Sequence, residues 1–475
     1  MQYAFFLLCL LALMTEASGQ FIHRCATHEQ FLLNAAKYPV YNAAVEQMYQ
    51  KALARAKASS VQKAPQTWDT IFRIPVVVHV VYHDSSENIE DSLIYNQIEV
   101  LNQDYRRKNP DSANTRSIFK PLAADAGIEF YLATRDPQGN PTTGINRIYT
   151  QREYFSGLGD IFSGSSIGAD EVKSDSTGGV NAWDTERYLN IWVCNLEDPA
   201  NPFALVLGVA YPPDGAPHWP MDTMQPNSNL HGVVIHYKVF GRANPRATGQ
   251  IFSLADRGRT ATHEIGHYLG LRHIWGDGPL SILIPDCSVD DGLDDTPNSG
   301  MNSQTAAFTA QGCNINTNTC QDPQNDLPDM WENYMDYSKE SCQNLFTHQQ
   351  VALMREMLKL ARPLLPDYVV NGVNIGNPYD TLHTAAFTAM PSKSFLLNIY
   401  PNPVANLLYY SIFPNSRSER FFITIVNSLG QHVKQLEGSP GGWVDVADLA
   451  PGVYSFSAVA GDATQTKPFI ITPGF

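Results

Sequence analysis

Residues 260–278, "TATHEIGHYLGLRHIWGDG", contain three of the 13 histidines of this 475-residue chain. His263 and His267 are four positions apart, so on a helix they lie on one face and can bind one metal ion. Gly270 can adopt the left-handed conformation that ends a helix, and the returning chain would bring His273 to the same ion. Three neutral imidazoles leave a fourth position for water, as in catalytic zinc sites.

Glu264 follows the first of these histidines and is the expected general base. It is too close in sequence to be a relaxed fourth zinc ligand, but it is well placed to take a proton from the attacking water. The pattern H-E-x-x-H alone would occur by chance in roughly one or two such chains in a hundred, and Gly270 with His273 lowers that to roughly one in ten thousand or less. We therefore favour a zinc site over a surface helix that happens to be rich in histidine.

Strands and helices must position this site. The stretch "IPVVVHVVYH", residues 74–83, predicts a buried strand, and "SLIYNQIEVLNQDYRR" from Ser92 predicts an amphipathic helix. Further strands are predicted at "IEFYLA", "LNIWVCNL" and "HGVVIHY", so strands alternate with helices as in an α/β domain with a mixed sheet. Cys194 in "LNIWVCNL" is expected to be a small buried hydrophobic residue and not a nucleophile.

Composition changes along the chain predict its division into segments. A basic, helical segment covers residues 20–63, the α/β domain covers 64–362, and a linker rich in turn-forming residues covers 363–394. Residues 395–475 show short alternating strands separated by turns, which predicts a small β-sandwich.

The opening stretch "MQYAFFLLCLLALMTEASGQ" predicts an export signal over residues 1–19. Its apolar run is too short to cross a bilayer, and no later apolar run is long enough to do so. An uncleaved interfacial segment is the alternative, because this stretch contains no Lys or Arg. Forty-seven acidic residues against 32 basic ones give a net charge of -15, which disfavours binding to nucleic acid and favours binding of cations.

The motif "HEIGHYLGLRH" resembles the extended zinc motif of metzincin metallopeptidases. The stretches "CSVDDGLDDTPNSG", "ENYMDYSKESCQNLFT" and "IPVVVHVVYH" are similar to the pappalysin family, over roughly residues 74–362. This resemblance implies a zinc endopeptidase whose horizontal cleft separates a twisted sheet and the zinc helix from an irregular lower part. It also implies that Met335 is the Met-turn residue beneath the zinc and that Tyr337 can donate to the tetrahedral oxyanion, although core packing alone would also explain both.

The loop "DCSVDDGLDDTP" concentrates carboxylates directly after the zinc helix. Such a run is usually a solvated face, but oxygen ligands at irregular spacing also fit calcium, which we favour because like charges need a cation to fold tightly. The resemblance implies that Asp291 and Thr296 provide side-chain oxygens and that Asp294 provides a carbonyl oxygen.

Four cysteines cluster in and after this loop, as in exported proteins whose long loops are held by disulfides. Two bridges are expected, and the spacing alone leaves all three pairings open. The resemblance to pappalysins implies the pairs Cys287 with Cys320 and Cys313 with Cys342.

The edge of the cleft and its specificity pocket are also implied by the resemblance. The stretch "LVLGVAYPP", residues 205–213, is expected to be an edge strand that accepts an extended peptide as an added antiparallel strand. Arginine-selective pappalysins have an acidic residue immediately before the last of the four cysteines. Ser341 occupies that place here and Glu340 precedes it, so a preference for arginine would depend on Glu340.

Cys25 in "HRCATHE" resembles the cysteine switch of metzincin zymogens, in which a thiolate of the pro-segment takes the position of the water at the zinc. An unpaired leftover cysteine is the alternative. Removal of the pro-segment, residues 20–63, would need cleavage within residues 52–63, which we expect to be basic, flexible and exposed.

The C-terminal stretches "YPNPVANLL", "IVNSLGQHV" and "WVDVADLAPGVYSF" resemble the sorting domain of type IX secretion substrates, found in bacteria with an outer membrane. This implies contact with that secretion machinery and a location outside the cell or on the outer-membrane surface. A sandwich that binds carbohydrate or protein is the alternative.

Two classes of function are therefore open. The first is a secreted zinc endopeptidase, and the second is a surface binding protein whose metal-organised domain is not catalytic. Glu264 favours the enzyme, because a site without catalysis has little need of a general base. Another metzincin branch is disfavoured by the cysteine spacing and the "DDTP" loop.

Overall fold

The computed structural model forms two units, whose described residues lie within 22–375 and 376–472. The described residues are 22–37, 39–59, 68–155, 168–198, 205–213, 230–277, 285–303, 313, 317–322, 326–370, 373–376, 396–400, 403–404, 407–413, 421–438, 441–460 and 463–472. The predicted export signal lies outside the described residues. No described helix combines the length and the apolar character needed to cross a membrane.

The first unit is built around a mixed sheet. Its described strands are β1 (Ile22–His23), β2 (Thr70–Tyr82), β3 (Ala123–Ala124), β4 (Ile128–Leu132), β5 (Ile145–Tyr149), β6 (Leu189–Cys194), β7 (Leu205–Val206), β8 (Gly208–Ala210), β9 (Val233–His236), β10 (Phe346–Thr347), β11 (Asp367–Val370) and β12 (Val373–Gly376). Eight of them form one sheet in the order β12-β11-β2-β6-β9-β8, with β4 and β5 also paired to β2. β2 is parallel to β4, β5 and β6 and antiparallel to β11. The mixed sheet is the one that the sequence predicts.

β2 is the central strand because its residues are apolar on both faces. Val76, Val77, Val78 and Val80 are fully buried, and β-branched side chains favour this extended conformation. At the other end of the sheet, β8 pairs antiparallel with β9 and forms the edge. The predicted edge strand at residues 205–213 therefore consists of β7 and β8.

Helices pack around this sheet. The described α-helices are α1 (Thr27–Lys37), α2 (Pro39–Ser59), α3 (Asp91–Tyr105), α4 (Gly249–Leu254), α5 (Arg259–Tyr268) and α6 (His348–Ala361). α3 packs against α5, where the Tyr105 hydroxyl donates to the carbonyl of Thr262 at 3.0 Å. α6 begins at a capping box in which the Thr347 side chain accepts from the backbone of Gln350, and it packs against α2.

The predicted cleavage region, residues 52–63, was expected to be flexible and exposed, but its described part is helical and partly buried. Residues 52–59 belong to α2, and Ala52, Leu53 and Ala56 are buried. Arg55 lies between them and is exposed, so the basic composition suggested an exposed segment, while the apolar face of the helix packs on the domain. Residues 60–63 lie outside the described residues.

The predicted linker also begins later than residue 363. β11 and β12 lie within that range, and β11 pairs with β2, with Val369 opposite Ile71. Because the partner strand is distant in sequence, the local turn-forming residues gave no sign of this pairing. The linker residues 377–394 lie outside the described residues.

The second unit contains two antiparallel sheets. Its described strands are β13 (Leu396–Tyr400), β14 (Leu407–Phe413), β15 (Phe421–Asn427), β16 (His432–Gly438), β17 (Gly441–Asp445), β18 (Gly452–Ala460) and β19 (Ala463–Ile471). One sheet has the order β13-β14-β17 and the other β16-β15-β18-β19. Leu397 and Leu408 of the first sheet share one core with Ile423, Phe456 and Phe469 of the second. Two sheets around one core form a small β-sandwich.

Candidate metal centre and cleft

The histidine-rich run forms α5, and every residue of this helix is buried. The helix ends as the sequence predicts, because Gly270 has a φ of +92°. Gly270 N donates to the carbonyl of His267 at 2.8 Å, and Leu271 N donates to that of Gly266 at 2.9 Å. A Cβ at Gly270 would also lie 2.7 Å from Met357 Cγ, so both the turn and the packing require glycine.

The turn brings the three imidazoles together. The Nε2 atom of His267 lies 3.1 Å from that of His263 and 3.0 Å from that of His273, and the remaining pair is 3.2 Å apart. Three nitrogens bound to one tetrahedral zinc would be roughly 3.3 Å apart. The residues therefore fit a zinc ion.

The opposite ring nitrogens fix the orientation of each imidazole. Their acceptors are the carbonyl of Tyr334 for His263 at 2.7 Å, the carbonyl of Leu271 for His267 at 2.8 Å, and Asp277 Oδ1 for His273 at 2.5 Å. Because these oxygens accept, each Nδ1 carries the proton and each Nε2 lone pair faces the shared centre. Burial lowers the pKa of His267 to about 3 and that of His263 well below its usual value, so both are neutral, as a metal requires.

Asp277 was not identified from the sequence. It has a φ of +56°, an uncommon conformation for a residue other than glycine, and it is held there against His273. Only an acidic residue four positions after the third histidine hinted at this role, and that spacing on a loop does not determine contact.

The predicted base and the predicted switch meet at this centre. Cys25 Sγ and the three Nε2 atoms all lie within 4.8 Å of one another, and the thiol donates to Glu264 Oε2 at 3.4 Å. The Thr27 hydroxyl donates to the same oxygen at 2.8 Å. Burial raises the pKa of Glu264 to about 8 and that of the Cys25 thiol well above its usual value, so a cation is needed to stabilise a thiolate here.

The chain around Cys25 lies along the edge strand of the cleft. β1 pairs with β7 in parallel, Ala26 N donates to the carbonyl of Gly208 at 3.0 Å, and Ala210 N donates to the Thr27 hydroxyl at 2.8 Å. The segment therefore runs opposite to the antiparallel strand expected of a substrate. Gly208 is a further residue that the sequence did not single out, since a Cβ there would lie 2.6 Å from Glu264 Cγ.

Met335 and Tyr337 lie next to the imidazoles. Met335 is fully buried, and a Cβ at Gly266 would lie 2.5 Å from its Sδ, so its thioether packs directly against the zinc helix. The Tyr337 hydroxyl donates to the carbonyl of Cys25 at 3.1 Å, and the Tyr337 ring centre lies 5.0 Å from that of His273. A hydroxyl that binds a peptide carbonyl at this position could also bind a substrate carbonyl.

The two predicted specificity residues lie in different surroundings. Glu340 is fully buried, whereas Ser341 is exposed. The Glu340 carboxylate accepts from the backbone of Arg257 and of Thr260, both at 2.6 Å, so it is rigidly oriented. Of the two, only Glu340 is built into the interior.

Arg24 reaches this carboxylate from the pro-segment. It is buried, its Nη1 donates to the carbonyls of Tyr337, at 3.1 Å, and Ser338, and its Nη2 lies 3.9 Å from Glu340 Oε1. In the sequence, only the position of Arg24 beside Cys25 pointed to this contact.

The acidic loop brings together two of the three predicted calcium ligands. Asp291 is buried, and its Oδ1 accepts from Leu293 N at 3.0 Å and from the Thr296 hydroxyl at 2.8 Å. Its Oδ2 is buried without a partner among the described residues, and burial raises the pKa of this carboxyl. An unpaired buried oxygen fits a cation. The Asp294 carboxylate is exposed and pairs with Lys57 of α2 at 2.7 Å.

The structure contains the two disulfides that the resemblance implies. They join Cys287 to Cys320 and Cys313 to Cys342. Cys25 and Cys194 are buried and form no disulfide, and Cys194 packs in a hydrophobic cluster beneath β6, as predicted.

Comparison with known proteins identifies the family. The family model described as "Pregnancy-associated plasma protein-A" matches residues 173–359. A solved structure of a mutant of Tannerella forsythia promirolysin is 40% identical, with a TM-score of 0.53, over 71% of this chain and 95% of that chain. The chain belongs to the pappalysin family of metallopeptidases. The resemblance seen in the zinc and Met-turn motifs is thus confirmed.

Other relatives of this pappalysin are extracellular. An extracellular metalloprotease of Arthroderma benhamiae is 35% identical over 131 residues, which are 25% of this chain and 40% of the relative. Another from Arthroderma gypseum is 25% identical over 279 residues, which are 58% of this chain and 69% of the relative. The model described as "Secretion system C-terminal sorting domain" matches residues 398–472. These matches indicate a secreted or cell-surface location.

Proposed function

We propose that this pappalysin is a secreted zinc endopeptidase made as a latent zymogen. The observation that carries the proposal is the convergence of three Nε2 atoms beside a buried glutamate and an edge strand. His263, His267 and His273 would hold the zinc, which supplies a Lewis acid that activates water and polarises a carbonyl. Zinc analysis together with hydrolysis of a peptide library by the activated protein tests it, and a zinc-loaded protein that cleaves nothing would favour the surface binding protein.

The chain's own residues would perform the remaining steps. The backbone groups of β8 bind an extended peptide as an added strand, which selects unfolded or loop substrates. Glu264 takes a proton from the attacking water and delivers it to the leaving amine. The Tyr337 hydroxyl donates to the developing oxyanion.

Latency would come from the pro-segment in three contacts. Cys25 takes the position of the water, and the Thr27 hydroxyl donates a hydrogen bond to the carboxylate of Glu264. The parallel direction of β1, opposite to that of a substrate, disfavours cleavage of the pro-segment in the cleft. The related promirolysin is, by its name, also a precursor. Activation then requires removal of the pro-segment, residues 20–63. The apolar face of α2, which packs on the domain in the latent form, must separate from it.

We further propose a preference for arginine after the cleaved bond, because Arg24 already presents a guanidinium to Glu340 in the latent cleft. Glu340→Gln is expected to lower kcat/KM for peptides with arginine at this position by about tenfold or more, while peptides with an apolar residue there change little. Ser341→Ala is the matched control, and it should leave unchanged the ratio of kcat/KM between peptides with arginine and peptides with an apolar residue at this position. An unaltered arginine preference in Glu340→Gln contradicts the assignment.

Calcium would bind at the acidic loop through Asp291, Thr296 and the carbonyl of Asp294. Adding calcium is expected to raise the Tm of the wild type by about 5 °C or more, since a cation satisfies the buried Asp291 oxygen. Asp291→Ala should abolish this increase and reduce activity, whereas Asp286→Ala in the same loop should retain both. Scanning calorimetry with and without calcium measures the effect, and an equal Tm in both conditions would contradict calcium binding at this loop.

The second unit would direct export through the type IX secretion machinery, consistent with the sorting-domain match. The proposed sorting domain, residues 395–475, lies within this unit.

A further inference from the structure

A cavity of about 190 Å³ lies between the cleft and the pro-segment helices. Leu271, Arg272 and Pro212 line it on the side of the cleft, and Glu46 and Tyr49 of α2 close it from the pro-segment. The proposed zinc ligand His267 also lines it, so the cavity borders the metal centre. Removal of the pro-segment would convert this cavity into an open part of the cleft.

The direction of the pro-segment assigns this space to one side of the cleaved bond. Arg24 and Thr27 lie on opposite sides of Cys25 along the edge strand, and Arg24 faces Glu340. His28 and Thr27 line the cavity. If the Glu340 pocket receives the residue after the cleaved bond, the cavity receives residues before that bond, on the non-primed side.

Arg272 is the cationic group of this space that the mature cleft would retain. Its guanidinium pairs with Glu46 Oε2 at 2.5 Å and lies over the Tyr49 ring, 3.7 Å from the ring centre. Its side chain is 35% exposed in the latent form. Within the described residues, both side-chain partners of its guanidinium belong to the pro-segment, so activation would leave it unpaired.

Asp277, His28 and Glu46 also face the cavity. Asp277 lines the same space, but its carboxylate is bound to His273 at 2.5 Å. His28, which lies 3.8 Å from the second oxygen of Asp277, would leave with the pro-segment, as would Glu46. Arg272 is therefore the cationic group of this space that is available to a substrate carboxylate.

We propose that Arg272 forms a non-primed subsite for an acidic side chain of the substrate, which Glu46 of the pro-segment occupies in the latent form. This subsite rests on the proposed endopeptidase function. The substrate carboxylate takes the place of the Glu46 carboxylate over the same guanidinium, so the pro-segment serves as the template for the contact.

The test uses the activated enzyme and peptides with arginine after the cleaved bond. Each pair of peptides differs only by Glu or Gln at one position before that bond. At one of the positions before the cleaved bond, we expect kcat/KM to be about three- to fivefold higher for the Glu peptide than for the Gln peptide, as suits a partly exposed ion pair. Arg272→Gln should bring this ratio to about one, Arg272→Lys should retain part of it, and Arg272→Glu should prefer Lys at that position.

Glu46→Gln in the precursor is the matched control, because this residue is absent from the mature enzyme and the ratio should not change. Cleavage of all peptides without a preference for Glu at any position overturns the subsite alone. A preference for aromatic residues there, with no effect of charge, overturns it as well and indicates that the Tyr49 contact was the template. Absence of any cleavage by the activated wild type contradicts the proposed function and the subsite with it.

Discussion

Glu264→Ala is expected to retain zinc and to lower peptide hydrolysis by about 10²- to 10⁴-fold. The three imidazoles that would hold the ion are fixed by acceptors other than Glu264, namely two backbone carbonyls and Asp277. The variant thus loses the proton acceptor of the water while its metal centre keeps its shape. Metal analysis and kcat on a peptide substrate, measured on the activated protein, test both parts of the expectation.

His263→Ala provides the contrasting variant for this experiment. It removes a ligand and should lose both zinc and activity, whereas Glu264→Ala should lose activity alone. Near-normal turnover in Glu264→Ala would exclude this residue as the general base. Loss of zinc in the same variant would instead assign Glu264 to the metal centre itself.

Cys25→Ala is expected to convert a nearly inactive precursor into one that hydrolyses peptides or cleaves its own pro-segment. In the latent form the thiol lies with the three imidazoles and donates to Glu264, so it occupies the space that the water needs. Activity of the intact precursor, followed over time by gel electrophoresis and a fluorogenic peptide, measures the gain.

Cys194→Ala is the matched control, because Cys194 is also buried and forms no disulfide but lies in a separate hydrophobic cluster. It should remain latent. A Cys25→Ala precursor that stays silent and intact would contradict the cysteine switch and assign the block to Thr27 or Arg24, whose contacts persist in that variant. Thr27→Val combined with Cys25→Ala would then separate these two contacts.

Local patterns predicted well what depends on neighbours in sequence. The spacing of His263 and His267, with the glycine after them, was sufficient to predict a helix, its end and the approach of the third imidazole, since helical periodicity and a left-handed turn are local properties. β2 was predicted from its run of β-branched residues and α3 from its amphipathic periodicity, which are local properties as well. The implied disulfide pairs came from the family and not from spacing, which left three pairings open.

Contacts between distant segments were decided only by the tertiary structure. Gly208 against Glu264 and Arg24 beside Glu340 depend on loops and strands whose relative positions no local pattern specifies. The same reason explains why the linker appeared to begin before β11 and why residues 52–59 appeared exposed: the partner surface of each lies far away in sequence.

The sequence by itself determined which residues we propose as metal ligands and base, because that assignment depends on residue type and helical spacing within residues 263–273. The tertiary structure decided how the pro-segment occupies the cleft: the parallel direction of β1, the contact of Thr27 with Glu264 and the pairing of Arg272 with Glu46. These contacts join segments that are distant in sequence: β1 pairs with β7 between Ile22 and Leu205, and 226 positions separate Arg272 from Glu46. Only packing of the whole domain brings such segments together, so no periodicity or motif could have indicated them.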